Sequence, residues 1–182
     1  MTATANQGIT AGITTSQTIG PFSHEAWHWA VDATAKVDSD APTITISGVI
    51  RDGDSRAIDD AVIEAWLPEA AAAEKRHAIP GFRRVPSNEA GAYRFEVSMP
   101  APVTAMQGKP VMFVTVFARG LLKHQFCAVF LADDPGLAAS EILSQVPAAR
   151  RATLIAEKLG EREYRWDIWM QTEKETVFFD YV

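Results

Sequence analysis

Hydrophobic and polar residues alternate with a period of two in several short stretches of the chain, and turn residues separate them. Thr43-Ile-Thr-Ile-Ser reads as a strand that continues through Val49-Ile50, with Asp52-Gly53 as the turn after it. Ala61-Val-Ile-Glu-Ala-Trp-Leu67 is a second strand, stopped by Pro68. Ala92-Tyr-Arg-Phe-Glu-Val97 alternates again, between the turn at Ser87–Gly91 and the breaker Met99-Pro-Ala-Pro102. Val111–Phe117 is apolar and β-branched with one Thr, bounded by Gly108 and Pro110 on one side and Gly120 on the other. Its length and punctuation predict a strand, and its two apolar faces predict a place at the centre of a core. Gln125–Leu131 is its expected neighbour, followed by a turn at Asp133–Gly136. Tyr164–Met170 alternates as a strand, and Thr176–Val182 is a strongly apolar strand or tail.

Little of the chain reads as helix. Leu137, Ile142, Leu143 and Val146 share one side of a short helix over Leu137–Val146. Ala70–Arg76 is a loop with room for a turn of helix, and Pro147–Leu159 is ambiguous. Residues 1–15 are small and polar and form a flexible arm; residues 16–182 form one domain. Seven or so short strands predict a mainly β fold: a β-sandwich core with short helix and loop excursions and an extended N-terminal arm.

Composition narrows the function classes. The 182 residues are enough for one domain with a sizeable core, and 47% apolar with 22% charged residues is ordinary for a globular protein. A net charge of −6 argues against nucleic acid or an anionic membrane as partner. The sequence has no run of about 18 apolar residues that would span a membrane. The opening MTATANQGIT lacks the basic and apolar regions of a signal peptide. One cysteine cannot staple the chain internally, which fits a reducing, cytoplasmic setting. Cys127 reads as a small buried hydrophobe in a strand.

The candidate chemistry is sparse. His24-Glu-Ala-Trp-His28 matches H-E-x-x-H, which on a helix sets two zinc ligands one turn apart with the Glu as base. Against this, the stretch follows Gly20-Pro21 closely, lies in the most arm-like part of a β-rich chain, and leaves only His77 and His124 as further histidines. A packing or surface role fits better, and Trp27 and Trp29 beside it call for a surface to pack on, another chain included. His77, beside Arg76, Arg83 and Arg84, is expected to be solvated, and His124 is a loop residue or a cleft lining. Asp59-Asp60 and Asp133-Asp134 are neighbours whose side chains point apart, so neither is an acid–base pair. Arg119 follows the Val111–Phe117 strand as it leaves the core. From the residues alone it is either a snorkelling surface arginine or an anion-binding one at the rim of a cleft.

Several segments, taken together and in order, resemble the intradiol ring-cleavage dioxygenases. Ser16-Gln-Thr-Ile-Gly-Pro-Phe22 resembles that family's S-Q-T-x-G-P-Y opening, and Val62-Ile-Glu-Ala-Trp66 its E-(I/V)-W strand. Val116-Phe-Ala-Arg-Gly120 matches F-A-R-G, Tyr164-Arg-Trp-Asp-Ile168 matches Y-R-F-D-I, and Glu175-Thr-Val-Phe-Phe-Asp180 matches E-T-V-F-F-D. Arg150–Ala156 also fits, and by that resemblance Leu154–Lys158 is strand rather than helix. The match runs from Ser16 to the end of the chain.

The resemblance implies a non-haem ferric enzyme of aromatic catabolism (the β-ketoadipate pathway). Its reaction opens 3,4-dihydroxybenzoate (protocatechuate) with O2 between the two hydroxyls to give 3-carboxy-cis,cis-muconate. The family's catalytic chains hold Fe(III) with two tyrosines and two histidines, hard donors that suit the ion. The His-x-His positions are Val111 and Phe113 here, and the stretches expected to supply tyrosines, Pro100–Gly108 and Ala70–His77, contain none. The resemblance therefore implies a subunit with no metal ligands and no catalytic residue of its own. Its iron would lie on a homologous β subunit within a higher αβ oligomer. Thr18, Gly20, Pro21 and Arg119 are the positions implied to contact substrate, and Phe22 stands where the family usually has Tyr. Two readings from other classes remain: a non-catalytic, prealbumin-like binding module and the H-E-x-x-H zinc peptidase.

Overall fold

Nine strands are found among the described residues, Gly20 and 28–180, of the computed structural model. They are β1 (Thr43–Arg51), β2 (Val62–Trp66), β3 (Phe82–Pro86), β4 (Ala92–Ser98), β5 (Met112–Phe117), β6 (Gln125–Leu131), β7 (Ile155–Lys158), β8 (Glu163–Arg165) and β9 (Ile168–Trp169). They hydrogen-bond in the order β3-β2-β5-β6-β7-β8-β1-β4, with β9 alongside β1. Most pairings are antiparallel; β1–β8, β1–β9 and β6–β7 are parallel. The sheet curls so that the inward residues of its two halves meet in one core. Ile44, Ile46, Phe95 and Val97 come from one half, and Ile63, Ala65, Met112, Val114 and Val116 from the other. This is the expected two-layer β core, built from a continuous curled sheet. Two helices, α1 (His28–Thr34) and α2 (Glu141–Gln145), complete the regular structure with short 3-10 turns.

The period-two stretches form strands within a residue or two of their expected limits because each puts alternate apolar side chains into the core. In β5, Met112, Val114 and Val116 are buried while Phe113, Thr115 and Phe117 are half-buried. The second apolar face of this strand is thus an outer face, not the interior expected from its composition. Leu137–Val146 divides into a 3-10 turn and α2, which Ser140 caps by accepting from Leu143 N–H. The ambiguous stretch from Pro147 resolves into a 3-10 helix over Ala148–Leu154 and then β7, as the resemblance implied.

Tyr164–Met170 is broken into β8 and β9, because the Asp167 carboxylate takes the Val49 N–H at 3.0 Å in place of a backbone carbonyl. There β1 approaches so closely that a Cβ at Gly48 would fall 1.8 Å from the Trp166 carbonyl oxygen, so only glycine fits. The apolar segment from Thr176 is extended but forms no strand through Asp180. It is tied by Thr176 N–H to the Trp169 carbonyl and Phe179 N–H to the Phe126 carbonyl. Residues 1–15, Trp27 and the last two residues lie outside the described residues. No helix among the described residues is long and apolar enough to cross a membrane.

β3 departs from the pattern that marks the other strands, and the reason is chemical. Its Arg83 and Arg84 are 1% and 6% exposed, and His77, expected in solvent, is also buried. Glu74 is fully buried and meets the Arg83 guanidinium through both carboxylate oxygens. The same carboxylate accepts from Ser98 Oγ and from Gly81 N–H at 2.8 Å. Arg83 Nε donates to the Glu96 carbonyl at 2.7 Å, which joins the two ends of the sheet path, β3 and β4. Arg84 pairs with Glu64 on β2, and its N–H donates to Thr34 of α1. The arginines can be interior only because each meets a carboxylate. His77 turns Nδ1 onto the backbone of Ile79.

Burial by itself would raise the Glu74 pKa, but the hydrogen bonds from Arg83, Ser98 and Gly81 and the guanidinium charge outweigh it and hold the carboxyl below its ordinary value. A depressed carboxyl pKa adds stability above the unfolded-state value, lost as pH falls through the folded one. Glu74→Gln leaves the Arg83 charge buried and unmatched, so urea unfolding at neutral pH should show a loss of about 3–5 kcal/mol. The difference from the parent chain should shrink as pH drops below about 4.

Candidate functional site

Arg119 is presented by a tight turn. β5 ends at Phe117, Ala118 is buried, and Leu121 N–H closes the turn on the Ala118 carbonyl at 3.2 Å. Gly120, the third residue, has φ +87° and empty space where a Cβ would stand, so the backbone angle rather than crowding favours glycine. Arg119 is therefore thrown outward, with 65% of its side chain exposed. Its Nε lies 3.0 Å from Asp60 Oδ2, a carboxylate that is only 10% exposed. The Phe117 and His124 rings, 5.6 Å apart, stand at the base of the same turn. Asp60 thus grips one edge of the guanidinium and orients it, while most of the side chain remains accessible to an anion.

The other implied contact positions lie mostly outside the described residues. Thr18 and Pro21 are not described, nor are Phe22, His24 and Glu25. Gly20 is half-buried with φ +89° and no atom within 4 Å of a would-be Cβ. His28 is the first residue of α1.

The positions expected to bind iron hold hydrocarbon packing. Val111 is 5% exposed, and Phe113 stacks on Phe126 with centroids 5.7 Å apart and planes 9° from parallel. No group of three or more His, Cys, Asp or Glu among the described residues could hold a metal ion. The two described tyrosines are committed elsewhere. Tyr93 donates to the Trp166 carbonyl, and burial pushes its pKa well up. Tyr164 donates to Asp133 Oδ1 at 2.9 Å and is pushed up by burial and by that hydrogen bond. Both environments hold the phenolic proton that a phenolate ligand would have to lose. The described residues therefore do not fit a ferric centre.

Three of the regions that resemblance assigns to metal ligation converge instead on a cavity of about 200 Å³. Val111, Met106 and Ala70 line it, with Leu67 and Met99, all buried. Glu69 and Lys109, 57% and 65% exposed, face each other across its rim at 3.6 Å. Sequence reasoning finds neither this pair nor Asp60. The signal for the first is antiparallel register: Trp66 lies opposite Phe113, so the residues just past β2 return beside those just before β5. Nothing local in the sequence joins Asp60 to Arg119.

Solved structures share this architecture. One is the dioxygenase domain of a carbohydrate-binding fusion from Streptomyces sp. SirexAA-E, with TM-score 0.53 and 13% identity over 78% of this chain and 85% of that one. Another is catechol 1,2-dioxygenase from Acinetobacter sp. ADP1, with TM-score 0.52 and 16% identity over 72% and 53%. The fold is that of the intradiol dioxygenases. No protein-family model matches the chain. Curated relatives do: among them, the protocatechuate 3,4-dioxygenase alpha chain of Burkholderia cepacia is 31% identical over 190 residues, 92% of this chain and 96% of the relative. That of Pseudomonas putida is 29% identical over 197 residues, again 92% and 96%. The chain belongs to the family of protocatechuate 3,4-dioxygenase alpha chains.

Gly120→Ala should lower stability by about 1–2 kcal/mol in thermal unfolding, since a Cβ is strained at positive φ. The space around it is open, so Gly120→Asn, which tolerates this region better, should recover part of the loss.

Proposed function

We propose that this chain is the iron-free half of a two-chain protocatechuate 3,4-dioxygenase. The reaction cleaves the ring of 3,4-dihydroxybenzoate between its hydroxyls, and both atoms of O2 enter the product, 3-carboxy-cis,cis-muconate. One observation carries the division of labour: Val111 and Phe113 are hydrocarbon where the family's catalytic chains have imidazole, in a chain that otherwise matches alpha chains along 92% of its length. The ferric ion belongs to a homologous β subunit, and the active site is completed where the two chains meet.

This chain's part is to bind and orient. Arg119, braced by Asp60, meets the benzoate carboxylate with a charge-assisted bond, which a chain of net charge −6 needs in order to attract an anion. Thr18, Gly20 and Pro21 form a backbone wall beside the substrate. The lone cysteine, buried as Cys127 with its pKa pushed up by burial, is inert and suits a reducing cytoplasm. The αβ units assemble into a closed symmetric oligomer.

Purified without a partner, the chain should hold no stoichiometric iron, show no ferric charge-transfer colour and turn over no dihydroxybenzoate; a coloured, active single chain would reject the assignment. In the αβ complex, Arg119→Ala should raise KM about ten- to a hundredfold, with iron content by metal analysis unchanged. An unaltered KM would remove Arg119 from the site.

A further inference from the structure

The cavity beside Val111 has no part in the reaction proposed above, and its chemistry suits a ligand. We propose that it is a second, non-catalytic binding site for a monocyclic aromatic carboxylate. Size sets the first limit. Its volume of about 200 Å³ is below the roughly 300–1,000 Å³ of pockets that take drug-sized ligands. An apolar cavity of about 150 Å³ is already enough to stay dry and take up benzene. One substituted ring fits; two do not.

The wall sets the second. Leu67, Ala70, Met99, Met106 and Val111 are each under a tenth exposed and present hydrocarbon and thioether. The two methionines are flexible and polarisable, and sulfur packs well against an aromatic edge. The one hydroxyl on the wall, Ser98 Oγ, is spent as a donor to Glu74. A ring is therefore favoured inside over a polar solute.

The rim sets the third. Lys109 Nζ is 3.6 Å from Glu69 Oε1, longer than a good hydrogen bond, and both side chains are more than half exposed. Such a pair contributes little. An incoming carboxylate can take the Lys109 ammonium while Glu69 turns to water. The ring then sits against Met99 and Met106 with its charge at the mouth.

This site is separate from Arg119. Lys109 precedes β5 and Arg119 follows it, and the six strand residues between them, at about 3.3 Å each, alone put the two roughly 20 Å apart. One benzoate cannot touch both. The cavity is present whatever happens at Arg119, so either role can fail alone.

The test follows the methionine methyl resonances of the full chain as benzoate is added. Met99 and Met106 should shift and saturate. Lys109→Ala should weaken benzoate about three- to fivefold and leave neutral benzyl alcohol unchanged, and Met106→Trp should fill the cavity and abolish both. Lys109 is exposed, so its variant keeps the test decisive if Met106→Trp does not fold. Unmoved Met99 and Met106 methyls, an unchanged benzoate affinity in either variant, or equal weakening of benzyl alcohol in Lys109→Ala would overturn the proposal.

Discussion

A buried ion pair closes this sheet. Arg83 and Glu74 are almost completely removed from water, and taking both charges inside costs several kcal/mol each unless their hydrogen-bonding capacity is used. Here it is used. The carboxylate receives Arg83, Ser98 and the Gly81 N–H, and the guanidinium also reaches the Glu96 and Phe82 carbonyls. The cluster links β3 to β4, the two ends of the curled sheet, and fastens the turn-rich segment from Leu67 to Gly81. That segment, closed by Leu67 N–H on the Gly81 carbonyl at 2.7 Å, supplies Leu67 and Ala70 to the cavity wall. The fold and the shape of the cavity beside Val111 thus share one electrostatic support.

The two faces of β5 pack differently. Its inner face, Met112, Val114 and Val116, is core. Its outer face bears Phe113, which stacks on Phe126, and that ring meets Phe179 edge-on at 6.2 Å. Phe179 in turn donates its N–H to the Phe126 carbonyl and secures the C-terminal segment. The outer face is thus an aromatic packing surface that joins β5, β6 and the C-terminal segment.

The strands that bury hydrocarbon are legible in the sequence, and those that bury charge are not. β1 and β4 show period-two apolar patterns, and β2, β5 and β6 are short apolar runs, all between turn residues. β3 reads Phe82-Arg-Arg-Val-Pro86, whose arginines suggest solvent until Glu74 and Glu64 are placed beside them. His77 misleads for a similar reason: its arginine neighbours suggest water, yet Arg83 and Arg84 are buried with it and only Arg76 is exposed. The split between β8 and β9 depends on Asp167 reaching Val49 across 118 positions of sequence, which no local pattern encodes. At the candidate site, the F-A-R-G resemblance marks Arg119, which the residues alone leave as either a snorkelling surface arginine or an anion-binding one. Its brace, Asp60, lies 59 positions earlier and becomes visible only when β2 and β5 pair.

The two cations that flank β5 differ in how firmly they are held, and this separates their chemistry. The Asp60 carboxylate against Arg119 is nine-tenths buried, so it has few orientations open to it and fixes the guanidinium plane. A planar fork held in this way selects an anion by direction as well as by charge. Glu69 against Lys109 is more than half exposed, and an ammonium on a four-carbon stem has no preferred plane. That end of the strand selects by charge and by the size of the cavity behind it. In a chain of net charge −6 a free cation attracts the protein's own carboxylates first, so both ends begin as ion pairs. Burial of the partner sets the difference: the buried Asp60 carboxylate restricts the Arg119 guanidinium, and the exposed Glu69 leaves Lys109 room to reorient.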